Sequence, residues 1–319
     1  MSAFPVIPRG LRRFQRRNPE AVTLAVLFAY LSLVEIWTSA LGLGYATLET
    51  AIPAWPVAPL VGGSLVTGVF GYGLAGVAFA AARGLAIPWG RPDLSARRVA
   101  MIAVLGPSGI LVTLAVVVNV LDLTSISALS QRSISPSVAP GFLGRAVVFP
   151  AAVSAIGVGL LFVGAVHTQL RAVATGPTAV LLTGLVAGVF FHLPMVTVSM
   201  ARPDLTMGVL FLVGVAVSVV IGLAVGTAYR DLKTDRSIFR RETFPLVVLG
   251  AVGLVGVIHT MVFNSDLVMD LLWLGTIVVA AHATDRTGSV WTAVGVLFTY
   301  RFVLGTVVYA EAVFGVASI

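Results

Sequence analysis

The sequence predicts an all-α, polytopic transmembrane helix bundle whose N-terminus faces the cytoplasm, and three observations carry that reading. Charged residues make up 10% of the 319 and hydrophobic residues 58%, where a soluble globular chain carries about 25% charged residues. So few charges cannot clothe a water-facing surface, and a disordered chain would not be this apolar. Apolar runs of roughly 20 residues, the length that crosses ~30 Å of hydrocarbon, recur nine times. Lys and Arg are concentrated in alternate connections, as the positive-inside rule requires of cytoplasmic loops.

The runs lie at about 20–42, 57–82, 99–120, 146–170, 178–200, 206–228, 244–264, 267–283 and 289–311. The eighth is the shortest, so the expected count is eight or nine spans. Residues 1–18 form a basic cytoplasmic arm carrying Arg9, Arg12, Arg13, Arg16 and Arg17, and 19–319 form a single bundle. With the N-terminus inside, sixteen basic residues fall on cytoplasmic segments and three (Arg132, Arg145 and Arg202) on external ones, while Arg301 lies within the last run. The expected location is the plasma membrane. The arm is followed by no small-residue cleavage pattern, which marks the first run as a retained helix rather than a signal peptide. Connections 121–145 and 229–243 are read as an external loop and a charged cytoplasmic one.

Glycines stand four apart on two runs, Gly184 with Gly188 and Gly222 with Gly226. Small residues at that spacing let helix backbones approach each other in lipid. Their expected role is packing.

Composition also excludes chemistry. With no cysteine, disulfides, thiolate metal sites, iron–sulfur clusters and a cysteine nucleophile fall away. The histidines (His167, His192, His259 and His282) lack His-x-x-x-His or His-Glu-x-x-His spacing, so no metal is expected. A retinal Schiff base would need a lysine in a span, and Lys233, the single lysine, is in a loop; no cofactor is expected. The scattered arginines, without interleaved aromatics, argue against nucleic acid. Gly106-Pro107-Ser108-Gly109 matches the Gly-x-Ser-Gly of rhomboid proteases, but its mid-span proline reads as a helix kink. Aspartyl-type intramembrane proteolysis needs two deep aspartates, and none is expected at that depth.

Ionisable groups inside hydrocarbon are costly unless paired or hydrated, so each is a candidate. Glu35, His192, His259 and Arg301 are the deep ones, with Glu311 near the external end of the last run. His167, His282 and Asp270 are placed nearer the interfaces. Glu35 and Arg301 are candidates to neutralise one another across the bundle.

One stretch resembles a known family. Leu160-Leu161-Phe162-Val163-Gly164-Ala165-Val166-His167-Thr168-Gln169-Leu170-Arg171 is followed by Gly176-Pro177-Thr178-Ala179-Val180 and Phe190-Phe191-His192-Leu193. Asp285-Arg286-Thr287-Gly288-Ser289-Val290-Trp291 comes later, at the head of the last run. Over about 145–305 this is similar to the core of the CPBP intramembrane proteases, the CAAX-processing and bacteriocin-processing group. The family pattern is Glu-Glu-x-x-x-Arg with a Gln-x-x-Leu-Arg turn, then Phe-x-x-x-His, then a Thr-Gly-Ser-Leu-Trp turn leading into His-x-x-x-Asn. The departures fall on the chemistry. Val158 and Gly159 occupy the glutamate slots, Val163 the arginine slot and Gly188 the phenylalanine slot, while Leu297 and Arg301 replace the later histidine and asparagine. Only His192 is kept, and no glutamate pair stands elsewhere.

The resemblance therefore implies a CPBP-like bundle without the proteolytic machinery, a pseudoenzyme. Its partly polar cavity would be lined by His192, His259, Thr299, Tyr300, Arg301 and Glu35. The expected partners are membrane lipids and a transmembrane or lipid-modified protein segment. Two alternatives stand beside this reading. One is an active intramembrane endopeptidase with a relocated base, Glu35 or Glu311. The other is a small-solute or proton transporter built on Glu35, His192, Arg301 and Glu311.

Overall fold

A computed structural model of the chain describes residues 18–51, 59–92, 96–121, 123–130, 132, 141, 143–192, 205–234, 244–263 and 267–314. The basic arm before residue 18, most of the external loop after Arg132, and segment 235–243 of the charged cytoplasmic loop lie outside the described residues. Among the described residues there are helices and no strand. In chain order they are α1 (Pro19–Ala51), α2 (59–83), α3 (Arg97–Val120), α4 (Ile126–Leu129), α5 (Gly144–Arg171), α6 (Gly176–His192), α7 (Leu205–Lys233), α8 (Phe244–Phe263), α9 (Leu267–Thr287) and α10 (Val290–Phe314).

This is a multi-pass membrane architecture. Seven helices are long and apolar enough to cross: α1, α2, α3, α5, α9, α10 and the Leu212–Lys233 part of α7. Gly176–His192 and Val248–His259 are shorter apolar helices at the fifth and seventh predicted runs. The run expected to be short, the eighth, is instead a 21-residue helix, Leu267–Thr287. Its polar inner turn, ending in Thr284, Asp285 and Thr287, is helical as well, so hydropathy alone had cut it early. Large apolar side chains stand on the outside of the bundle, among them Ile102, Leu105, Val120, Leu181 and Val252. Such a surface suits lipid, in which helices associate through close packing and not by escape from water.

The centre of the bundle is α5, whose segment 159–167 is buried at every residue. Helices α2, α6, α9 and α10 surround it, α1 pairs with α7 and α7 with α8, and α3 lies against α9 and α10. Glycine seams set these contacts. An ideal Cβ on Gly184 would sit 2.5 Å from Val278 Cγ2, and one on Gly222 would sit 2.9 Å from the Leu24 carbonyl. A Cβ on Gly226 would overlap the Ala21 backbone. The two four-residue spacings are thus packing seams, of α6 on α9 and of α7 on α1.

Three stretches are π-helical: 65–73 in α2, and 144–148 and 159–167 in α5. A π turn widens the helix and redirects side chains, and such turns gather at functional sites. Helices α2 and α9 both stop on a left-handed glycine, Gly84 and Gly288, each with φ of 63°. After Gly288, Val290 N–H donates to the Pro88 carbonyl at 2.8 Å and Trp291 Nε1 to the Trp89 carbonyl at 3.2 Å. The Thr287-Gly288-Ser289 turn is therefore fastened to the 85–89 loop, with Trp89 and Trp291 half-exposed as an interfacial aromatic pair.

Candidate functional site

Phe162, beside the slot residues of α5, meets Phe190 and Phe191 of α6, both with ring centroids 5.4 Å away. Phe191 continues to Trp273 of α9 at 6.1 Å, and Trp273 to Tyr300 of α10 at 5.8 Å. The helix carrying Val158, Gly159 and Val163 thus packs against the end of α6 that carries His192. Val158 and Val163 are buried, and the space between the helices is aromatic.

His192 finds an acid elsewhere. Its Nδ1 lies 3.6 Å from Asp270 Oδ2 in the first turn of α9, too long for a hydrogen bond but close enough for a strong charge interaction. Both are largely buried, and among the described residues His192 Nε2 and Asp270 Oδ2 have no hydrogen-bond partner. Asp270, expected near an interface, is thus turned inward. A carboxylate beside an imidazole is the pairing that orients a general base.

Arg301 sits about 16 Å along α10 from its start at Val290, at 1.5 Å per residue. Its guanidinium carbon stands 4.2 Å over the Trp273 ring, a cation–π contact that offsets part of the cost of burying the charge. Arg301 Nε is enclosed and has no hydrogen-bond partner among the described residues. The expected Glu35–Arg301 pair is not formed within 4.0 Å; Tyr72 instead lies in the electrostatic reach of both. A cavity of about 230 Å³ opens beside Arg301, lined by Tyr72, Thr67, Ser154, Pro150 and Arg132, which follows α4. Two π-helical stretches, 65–73 and 144–148, supply part of its wall. Tyr300, expected in the cavity wall, is buried against Trp273, the ring beneath Arg301, and does not line the cavity.

The other expected residues lie apart. Thr299 turns back on its own helix, donating to the Gly295 carbonyl at 2.9 Å. His259 is exposed on α8 and does not line the cavity. Glu311 is buried and committed: Oε1 accepts from Ile126 N–H (2.8 Å) and Asn119 Nδ2 (3.1 Å), and Oε2 from Ser127 N–H (2.7 Å) and Ser127 Oγ (2.6 Å). That carboxylate caps α4 and is not available as a base. Ser108 Oγ points back to the Val104 carbonyl at 3.4 Å, and Pro107 is buried within a continuous helix, as a packing element and not a nucleophile.

A second polar cluster joins helices at the end of the bundle where α9 stops on Gly288. His167 Nδ1 lies 2.9 Å from Thr183 Oγ1 and Nε2 lies 3.0 Å from Asp285 Oδ1. A carboxylate only accepts, so the Asp285 contact takes an N–H from His167 Nε2, while Thr183 Oγ1 lies within reach of both Nδ1 and the Ala179 carbonyl (2.7 Å). Arg171 Nε approaches the same Asp285 oxygen at 3.4 Å, and Arg83 Nε donates to Gln169 Oε1 at 3.2 Å. The cluster ties α5, α6 and α9 together. Replacing Asp285 with alanine leaves a buried imidazole N–H without its acceptor, at an expected cost of about 2 kcal/mol. Detergent thermal unfolding at neutral pH checks this; an unchanged midpoint would remove the cluster's role as a staple.

Sequence reasoning missed Asp270, Asp285, Tyr72, Trp273 and Arg132 as site residues. Asp270 carried a signal, being an acid inside an apolar helix. Arg132 carried none, since a loop arginine reads only as a topological charge. Among the described residues no group of three or more His, Asp or Glu side chains is placed to hold a metal ion. No protein-family model, curated protein or solved structure matches the chain.

Proposed function

We propose that this multi-pass membrane protein is a non-proteolytic bundle of the CPBP type, crossing the plasma membrane nine times from a cytoplasmic N-terminus, which binds a ligand rather than cleaving a peptide. The observation that carries the reading is the replacement of water-activating chemistry by packing. Val158 and Val163 are buried, Phe162 on the same helix packs on Phe190 and Phe191, and Gly159 faces Val294 and Leu297 of α10. Glu311 is consumed by four hydrogen bonds. The polar interior that remains centres on Arg301, a cation suited to holding an anion or a polar head.

One observation favours a second reading. The His192–Asp270 pair supplies an acid and an imidazole close together, the minimal parts of a relocated base, although the acid differs from the Glu35 or Glu311 expected for it. A direct assay separates the two. Purified protein in detergent, mixed with a prenylated peptide and with a transmembrane-segment peptide, is expected to leave both intact. Cleavage that disappears in His192→Ala and in Asp270→Asn would overturn the binding reading and establish the peptidase.

A further inference from the structure

The geometry points to a phosphate-class oxyanion as the ligand of the cavity beside Arg301, held between Arg301 at its floor and Arg132 at its mouth. This deepens the binding reading, yet rests on residues that the peptidase question does not involve.

Arg301 and Arg132 each carry five N–H donors and no acceptor, and both border one cavity. Tyr72 and Ser154 add hydroxyls with no hydrogen bond to any described residue. Thr67 is the exception, because its proton is already given to the Gly63 carbonyl at 2.9 Å. The cavity wall is rich in donors and poor in acceptors. Water, which donates as often as it accepts, satisfies such a wall incompletely, whereas an oxyanion accepts from all of it.

Charge agrees. Arg301 and Arg132 act on one another as like charges, and among the described residues neither has a carboxylate within 4.0 Å. Asp285, Asp270 and Glu311 are engaged at His167, at His192 and at α4. Glu35 reaches Tyr72 but is not among the charges acting on Arg301. Two unneutralised guanidiniums facing a low-dielectric cavity are mutually repelled, and an anion bound between them removes that repulsion.

A cavity of about 230 Å³ has room for a tetrahedral oxyanion with bridging waters. Arginine's planar fork matches phosphate bidentately, and two forks from separate elements, α10 and the segment after α4, would clamp it. The same chemistry has two sources, free phosphate reaching the mouth and the headgroup of a phosphomonoester lipid.

The test uses the whole protein in neutral detergent at constant ionic strength, with inorganic phosphate in one arm and short-chain phosphatidic acid in the other, each against a chloride background. Binding is read by calorimetry and by the shift of the thermal midpoint. Saturable binding in either arm is expected, and the arm that binds tighter names the source. Arg132→Gln should weaken it about tenfold, the worth of one charge-assisted pair, Arg301→Gln should abolish it, and exposed Arg145→Gln, outside the cavity, should leave it unchanged. Should Arg301→Gln fail to fold, Arg132→Gln and Arg301→Lys keep the question open to decision, because lysine retains the charge but loses the fork and should weaken binding. Absence of saturable binding in both arms, or binding indifferent to Arg132→Gln, would overturn the assignment. Neither result bears on whether peptides are cleaved.

Discussion

Replacing Gly157 with valine is expected to cost about 3 kcal/mol or more of bundle stability, the upper end of what overpacking causes, and to remove most folded protein from detergent extracts. The seam between α2 and α5 leaves no room. A Cβ on Gly157 would fall on the Gly68 carbonyl, and one on Gly68 would come 2.6 Å from Val153 Cγ1 and 2.8 Å from the Val153 carbonyl. Every atom met by a Gly157 Cβ is Gly68 backbone, so no rotamer change relieves the clash and the helices must part. In lipid the attraction between them is dispersion across touching surfaces, which falls steeply with a small separation. Gly68 also borders the Arg301 cavity, so parting the seam should loosen the anion site too. Gly275→Val is the control, because nothing lies within 4 Å of its Cβ position. Thermal unfolding of the two variants should separate them clearly; equal losses would mean that the seam is not tight.

Removing the Glu311 carboxylate should have a comparable effect, concentrated around α4. Glu311→Ala strands the Ile126 and Ser127 amides, the Ser127 hydroxyl and one Asn119 proton at once. The two amides are the first of α4 and have no intrahelical acceptor, so a buried anion there completes both hydrogen bonding and charge. A loss of about 3–5 kcal/mol is expected, as when one side of a buried charged network is deleted. Glu311→Gln retains an acceptor oxygen and should lose less. Hydrogen exchange at Ile126 and Ser127 reads the effect directly: protection should collapse in the alanine variant and fall partway in the glutamine one. Unchanged protection would show that α4 is held by its apolar contact, Ile126, and not by the carboxylate.

Several features were legible beforehand, each for a local reason. The glycine pairs at 184/188 and 222/226 mark close contacts because four residues is one helical turn. The Thr287-Gly288-Ser289 turn ends a helix because glycine adopts the left-handed backbone at Gly288. Other features were hidden. The end of α9 was cut short because a polar inner turn lowers hydropathy without ending a helix. Glu311 was taken for a free acid, since its partners in α4 belong to a loop 184 and 185 residues away in sequence. The π-helical stretches left no pattern to recognise, because the apolar residues of α2 and α5 fit an α-helix equally well.

Immersion in the bilayer, helical class and the places where helices come close follow from composition and short-range spacing, because the free energy of moving side chains into hydrocarbon sums residue by residue along the chain. Which charge meets which partner was settled only in three dimensions. Asp270 beside His192, Asp285 beside His167, Glu311 over α4 and Arg132 opposite Arg301 all depend on how helices remote in sequence are rotated about their axes. That rotation is set by glycine seams and aromatic contacts along whole helix faces, and no window of the sequence contains both sides of such a contact.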